Sequence, residues 1–132
     1  MIELTEKEAK FLKTKEDARI ATSHDDISHV KPVSFIFDKH IIIVATDYET
    51  RSFKNIQSNS NAAIVIDHYQ SGNHKAVCIQ GKVSIIESGP EFKRVYKKFY
   101  DKFEWVRNDP WKEKEAPFLK MIPFTKSSWG LN

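Results

Sequence analysis

The stretch Ile41-Ile42-Ile43-Val44-Ala45-Thr46-Asp47-Tyr48-Glu49-Thr50-Arg51-Ser52-Phe53-Lys54-Asn55-Ile56 changes character twice. Its first five residues are apolar on both faces of a strand, which places that strand at the centre of a sheet. It ends in hydroxyl and acidic residues, and Thr50 then stands where an N-cap is needed for a short helix running to about Ser60. A buried strand thus feeds a helix whose first turns carry Arg51 and Lys54.

Working outward, the upstream residues read as a hairpin. Val33, Phe35 and Phe37 alternate along a strand from Val30 to Asp38, and Asp38-Lys39-His40 turns it into the Ile41 strand. Arg19 to Thr22 is a shorter strand, separated from the next by a polar turn over Ser23 to Ser28. Before it, Thr5 and Glu8 form a capping box for a helix reaching about Lys15, with Leu4, Phe11 and Leu12 on one face.

Downstream, Ala62 to Asp67 is another buried strand. Ala76 to Glu87 is a long one, with Val77, Ile79, Val83 and Ile85 on one face and Gly81 placed for a bulge or bend. Phe92, Val95, Tyr96, Phe99, Tyr100 and Phe103 form the apolar stripe of a helix that starts after Pro90. A loop around Asn108-Asp109-Pro110 leads to a final strand from Phe118 to Trp129. Six strands and three short helices with hairpin-like connections predict a mainly β chain with short helices (α+β). The expected form is an antiparallel barrel decorated by helices rather than a set of βαβ crossovers.

The bulk composition narrows the function. A chain of 132 residues with 40% apolar residues suits a single domain, residues 1–132. The 21 Lys and Arg against 18 Asp and Glu leave a charge of +3 spread along the chain, without the basic stripe of a nucleic-acid binder. One cysteine, Cys78, excludes an internal disulfide and fits a reducing cytosol. The first residues lack the blocks of a signal peptide, and the apolar runs are too short for a bilayer, so a cytoplasmic protein without membrane contact is expected. His24 and His29, with Asp25 and Asp26 between them, match no recognised metal-ligand spacing, and no metal site is expected.

Thr46 to Lys54 carries the chemistry. A phosphate monoester is held by hydroxyls, a guanidinium fork, an ammonium and free amides at a helix N-terminus, and all four occur within nine residues. An ordinary capped helix with solvated basic side chains fits the same pattern, so spacing alone leaves both readings open.

Three runs in order, His29 to Phe35, Ile43 to Thr46 and Thr50 to Ile56, resemble the pyridoxamine 5′-phosphate oxidase-like family of flavin-binding split barrels. Ile79-Gln80-Gly81-Lys82-Val83 and Ile122 to Gly130 resemble it as well, with the weakest match between Glu91 and Pro117. The resemblance implies a six-stranded antiparallel split β-barrel of Greek-key type, and a homodimer with flavin mononucleotide (FMN) in clefts between the subunits. It implies that Thr46, Thr50, Arg51 and Lys54 contact the ribityl phosphate, and that Lys31, Pro32 and Val33 line the isoalloxazine ring. It also implies that Lys75 to Val77 approach the ring from the partner, and Trp129 either covers the cleft or caps the barrel end. Many relatives have Arg-Lys where this chain has Arg51-Ser52, which puts Ser52 among the expected cofactor-binding positions; Lys54, one turn on, could replace the missing ammonium. The chain ends at Asn132 without the Arg- and His-bearing segment that binds pyridoxal phosphate in true pyridoxamine phosphate oxidases, so vitamin B6 oxidation is not expected.

The expected function is therefore a flavin-dependent oxidoreductase of a small molecule. A deazaflavin or haem in place of FMN, or a flavin carrier or sensor without turnover, remains an alternative reading.

Overall fold

A computed structural model describes residues 2–132. Helix α1 (Glu6–Lys13) is followed by strands β1 (Asp17–His24), β2 (Ile27–Asp38) and β3 (Ile41–Ala45), then helix α2 (Arg51–Ser58). Strands β4 (Asn61–Gln70) and β5 (Asn73–Ile86), helices α3 (Gly89–Lys102) and α4 (Glu104–Asn108), and strand β6 (Phe118–Trp129) complete the chain. Every strand pair is antiparallel, and the six close into a ring in the order β1-β2-β3-β6-β5-β4. Strand β4 returns through α2 to lie beside β1, the spatial order 4-1-2-3 of a Greek key.

Local chemistry sets the turns. The polar turn expected over Ser23 to Ser28 shrinks to Asp25 and Asp26, both at positive φ, because β1 and β2 continue pairing as far as His24 and Ile27. Lys39 and His40 make the next two-residue turn, again at positive φ, which matches the right-handed twist of the flanking strands. The irregularity expected at Gly81 is present, but the extra residue lies on the other strand. Gln80 pairs with Thr125 and Gly81 with Pro123, so Phe124 bulges from β6. Gly81 is needed there because a Cβ would lie 2.5 Å from the Met121 side chain and 2.6 Å from the Ile122 carbonyl oxygen.

Two apolar clusters explain why β3 is apolar on both faces. Ile42 and Val44 point into the barrel with Ile20, Phe35, Ile66, Val77 and Ile79, and Phe53 and Ile56 of α2 join them there. Ile43 points outward into a second cluster with Ile36, Phe118 and the Phe92, Val95 and Phe99 stripe of α3. Helix α4, absent from the sequence-based expectation, adds Val106 to this outer cluster. Five residues are too few for a periodic signal, and packing against α3 stabilises the turn instead.

The remaining feature of consequence is a split seam. Strand β2 pairs with β1 along Ile27 to Ser34, but with β3 only from Phe35 to Asp38. Among the described residues, no strand pairs with the other edge of residues 27–34.

Candidate functional site

The segment Thr46 to Lys54 joins the end of β3 to the first turns of α2. Thr46 follows the last residue of β3, and its Oγ1 lies 2.8 Å from Thr50 Oγ1. Thr50 caps α2 as expected, accepting from the Phe53 amide at 3.1 Å. The amides of Arg51 and Ser52, ahead of that bond, have no intrahelical acceptor. Arg51 and Lys54 are exposed on one face of the helix and line a polar cavity of about 430 Å³ with His24, Glu49, Asn55 and Ser58. Among the described residues, neither cation forms an ion pair. Thr46 lines a separate cavity with Asp47, Trp105 and Trp111, so the hydroxyls and the two cations border the start of α2 without sharing one pocket. Hydroxyls, cations and free helix-start amides are the donors a phosphate monoester takes.

Helix α2 is held in place from below. Asn55 Nδ2 donates to Thr22 Oγ1 at 3.0 Å in a buried contact, and Asn59 Nδ2 donates to Ser23 Oγ at 3.1 Å, tying the helix to β1. Tyr48, in the loop before the helix, packs edge-on against Phe53. Burial, and then a hydrogen bond and charge from Glu87, push its phenol pKa above the ordinary value. Sequence reasoning missed Asn55 and His24 as wall residues. Asn55 lies three residues beyond Ser52 on the buried stripe of α2, and that spacing was the available signal.

Ser52 is the exception in this segment. It is 1% exposed, and its Oγ is buried without a hydrogen-bond partner, so its side chain is turned away from the Arg51 and Lys54 face. Its hydroxyl therefore does not take the place of the missing ammonium; Lys54 is the second cation of the cluster.

The other sequence-derived residues lie apart. Lys31, Pro32 and Val33 sit on the stretch of β2 with the free edge. Asp38 and Ile41 close a two-residue hairpin, and the Phe35 amide donates toward β1 at Glu16 O, 3.2 Å away. Alternation then directs the backbone groups of Val30, Pro32 and Ser34 to the free edge, and those of Lys31 and Val33 to β1. A proline is tolerated at such a position because its missing N–H breaks no ladder bond. The Val33 side chain is in the barrel core, and so is that of Val77, at 0% exposure; each can meet a ligand only through its backbone.

Lys75 pairs with His68 toward the far end of β4 and lines a different cavity from Arg51. Trp129 pairs with Ala76 and is 51% exposed on the outside of the barrel. The next residue, Gly130, has φ +75°, and a Cβ there would lie 1.9 Å from the His74 carbonyl oxygen, so only glycine lets the tail run this close to β5. Within one chain, then, Thr46, Thr50, Arg51 and Lys54 lie around the start of α2 but not in one cavity, and Lys75 lines a third cavity. Between these regions the outer wall carries a depression of about 420 Å³ floored by Ala21, Ala63, Val65, Cys78 and Gln80, with exposed Val30 at its rim.

This fold has counterparts. The family model described as pyridoxamine 5′-phosphate oxidase matches residues 4–122. The chain belongs to that family. No curated protein matches the sequence significantly. Among solved structures, this family member is similar to the haem storage protein HutZ of Vibrio cholerae, with 13% identity, coverage of 98% of this chain and 95% of that one, and a TM-score of 0.81. It is similar to a FAD-binding protein of Mesorhizobium loti, with 13% identity, coverage of 95% and 94%, and a TM-score of 0.75. It also resembles General Stress Protein 26 of Bacillus anthracis, with 18% identity, coverage of 93% and 91%, and a TM-score of 0.76. At these identities the likeness is one of fold. Within the described residues, no helix is long and apolar enough to cross a membrane.

Proposed function

We propose that this member of the pyridoxamine 5′-phosphate oxidase family binds FMN and acts as a flavin-dependent oxidoreductase on a small molecule. The observation that carries this reading is the placement of Thr46, Thr50, Arg51 and Lys54 around the start of α2, the two hydroxyls 2.8 Å apart and the two cations in a neighbouring cavity. Such a donor set recognises one terminal phosphate, which FMN carries and haem lacks. A FAD-binding protein of the same fold supports a flavin over other phosphate esters.

A bound flavin supplies the electron- and hydride-transfer chemistry itself. The chain's own residues bind and orient. Arg51 and Lys54 neutralise the phosphate, and the Thr46 hydroxyl and the free amides of α2 donate to it. Thr50, whose hydroxyl donates to Asp47 O at 3.0 Å and accepts from the Phe53 amide, fixes the helix start. The free edge of β2 at Val30, Pro32 and Ser34 offers backbone groups to the polar rim of the ring. In this reading the protein works as a homodimer. Lys75, Val77 and Trp129 are far from Arg51 in one chain and come from the partner copy, whose barrel covers the depression floored by Ala63 and Val65. The exposed apolar side chains Ile27, Val30, Phe124 and Trp129 are the surface that such a partner would cover.

The test is a Thr50→Ala, Arg51→Ala double substitution followed by loading with FMN and desalting. Loss of retained flavin with an unchanged circular dichroism spectrum supports the phosphate site. Retention at the wild-type ratio removes it. A light-scattering mass of one chain in the loaded protein contradicts the shared cleft.

A further inference from the structure

A second group of cations stands apart from this site. Lys7 and Lys10 of α1, Lys15 just after it, and Lys75 of β5 line one cavity of about 520 Å³, together with His68 and Asn73. No carboxylate lines it, and among the described residues none of the four ammonium groups is in an ion pair. Three elements meet to build it. The α1 end is anchored where Lys102 Nζ donates to Lys15 O at 2.7 Å. The β4–β5 arms supply His68 and Lys75, and the chain's tail closes one side, with Lys7 Nζ 3.4 Å from Asn132 Oδ1. Phe11 and Leu131 make an apolar floor that packs on the barrel core.

Ordinary helix electrostatics does not account for this grouping. Lys10 and Lys13 lie in the last turn of α1, where the helix dipole favours cations. Lys7 lies in the first turn, where the dipole disfavours one, and Lys75 comes from a strand. Lys7 and Lys10 are also like charges one turn apart, a mildly destabilising spacing. An anion in the groove would offset all of these costs together.

We infer that the groove between α1 and the β4–β5 arms binds a small multivalent anion carrying two or more phosphate or carboxylate groups. This ligand is distinct from the FMN phosphate, whose cations are Arg51 and Lys54. Lys75 is the one residue the groove shares with the proposed flavin cleft; Lys7, Lys10, Lys15 and His68 lie outside that reading.

The experiment is a titration of the full chain with inorganic pyrophosphate and, separately, with citrate, followed by amide chemical shifts. Expected are shifts at Lys7 to Lys15, His68 and Asn73 to Lys75. The Lys7→Ala, Lys10→Ala double variant should bind about tenfold more weakly, as expected for losing charge-assisted contacts. Lys13→Ala removes an α1 charge that does not line the groove, so it should leave affinity within about twofold, the scale of a surface charge effect. A stronger response to pyrophosphate identifies a phosphate-bearing ligand, and a stronger response to citrate a polycarboxylate. No response to either anion, shifts centred on Arg51 and Lys54, or equal losses in the Lys13→Ala and double variants would overturn the inference. The Thr50→Ala, Arg51→Ala protein should bind pyrophosphate in this groove as the parent does, which keeps the result separate from any failure of the flavin site.

Discussion

Two basic regions face solvent on α1 and α2, and they are built by different means. At α2, two cations are joined by two hydroxyls 2.8 Å apart and by unpaired helix-start amides. At α1, four lysines and a histidine gather over an apolar floor, with few fixed donors beside them. The first is organised by direction, because a capped helix and a buried Asn55–Thr22 bond fix the hydroxyls and helix-start amides beside which Arg51 and Lys54 stand. The second is organised by charge, on flexible stems. Directional donors select one phosphate geometry, whereas an ammonium cluster selects total negative charge and yields readily to salt.

The most severe way to break this contrast is to remove the directional donors. The Thr50→Ala, Arg51→Ala protein should bind FMN at least about 100-fold more weakly, because a charge-assisted phosphate contact and a cap that orients the others are lost together. Isothermal titration checks it, and a change below about threefold would mean that α2 is an ordinary capped helix.

Next in size is a cut at the α1 end. Glu8 is only 4% exposed; its carboxylate accepts from Lys126 Nζ at 2.5 Å, from Ser128 Oγ at 2.6 Å and from the Thr5 amide, joining α1 to β6. Burial raises its pKa, but the bonds to Lys126, Ser128 and Thr5 outweigh that and hold it at about 2, against an ordinary 4.5. The folded-state pKa is thus depressed. The stabilisation is complete above about pH 4.5 and is lost as pH falls from there through about 2. Glu8→Gln should destabilise the fold by about 3 kcal/mol in urea unfolding at neutral pH, since it leaves Lys126 unpaired. It should also flatten the acid limb of the stability profile. The groove beside α1 should weaken with it, while the α2 cluster keeps its affinity.

Salt gives a milder separation. Raising sodium chloride from about 50 to about 500 mM should weaken pyrophosphate in the lysine groove by more than it weakens FMN at α2, because exposed charges on mobile stems are screened most. Equal slopes would erase the distinction drawn here.

The smallest effect expected is at Ser52. Its buried hydroxyl has no partner, so Ser52→Ala should leave FMN retention unchanged and the melting temperature unchanged or slightly raised. A clear loss of flavin would show that Ser52 reaches the phosphate after all.

These particulars show which features a sequence makes legible. The doubly apolar run at Ile41 to Ala45 announced a central strand, and the structure has it between the barrel interior and α3. The Phe92 to Phe103 stripe and the Thr5 and Thr50 caps were equally plain, because period and capping are local properties. What stayed hidden depends on distant contacts. Helix α4 exists because Val106 finds a place beside α3. The extra residue at the bulge fell on Phe124 because β5 and β6 shift register there, which one strand alone does not encode. The free edge of β2 follows from β3 being only five residues long. Ser52 was nearly readable: it shares the buried stripe with Phe53, Asn55 and Ile56, and only its place in the Arg-Ser pair drew it to the phosphate. The lysine groove joins residues from α1, β4 and β5, which no linear pattern brings together.

The central claim is that the α2 cluster holds the phosphate of FMN, and an absorbance spectrum tests it most directly. The purified chain is mixed with excess FMN, desalted and scanned. A retained band near roughly 450 nm, in about one-to-one ratio with chain, is the predicted result. A colourless protein after that treatment, or a Soret band on mixing with haem in its place, would contradict it.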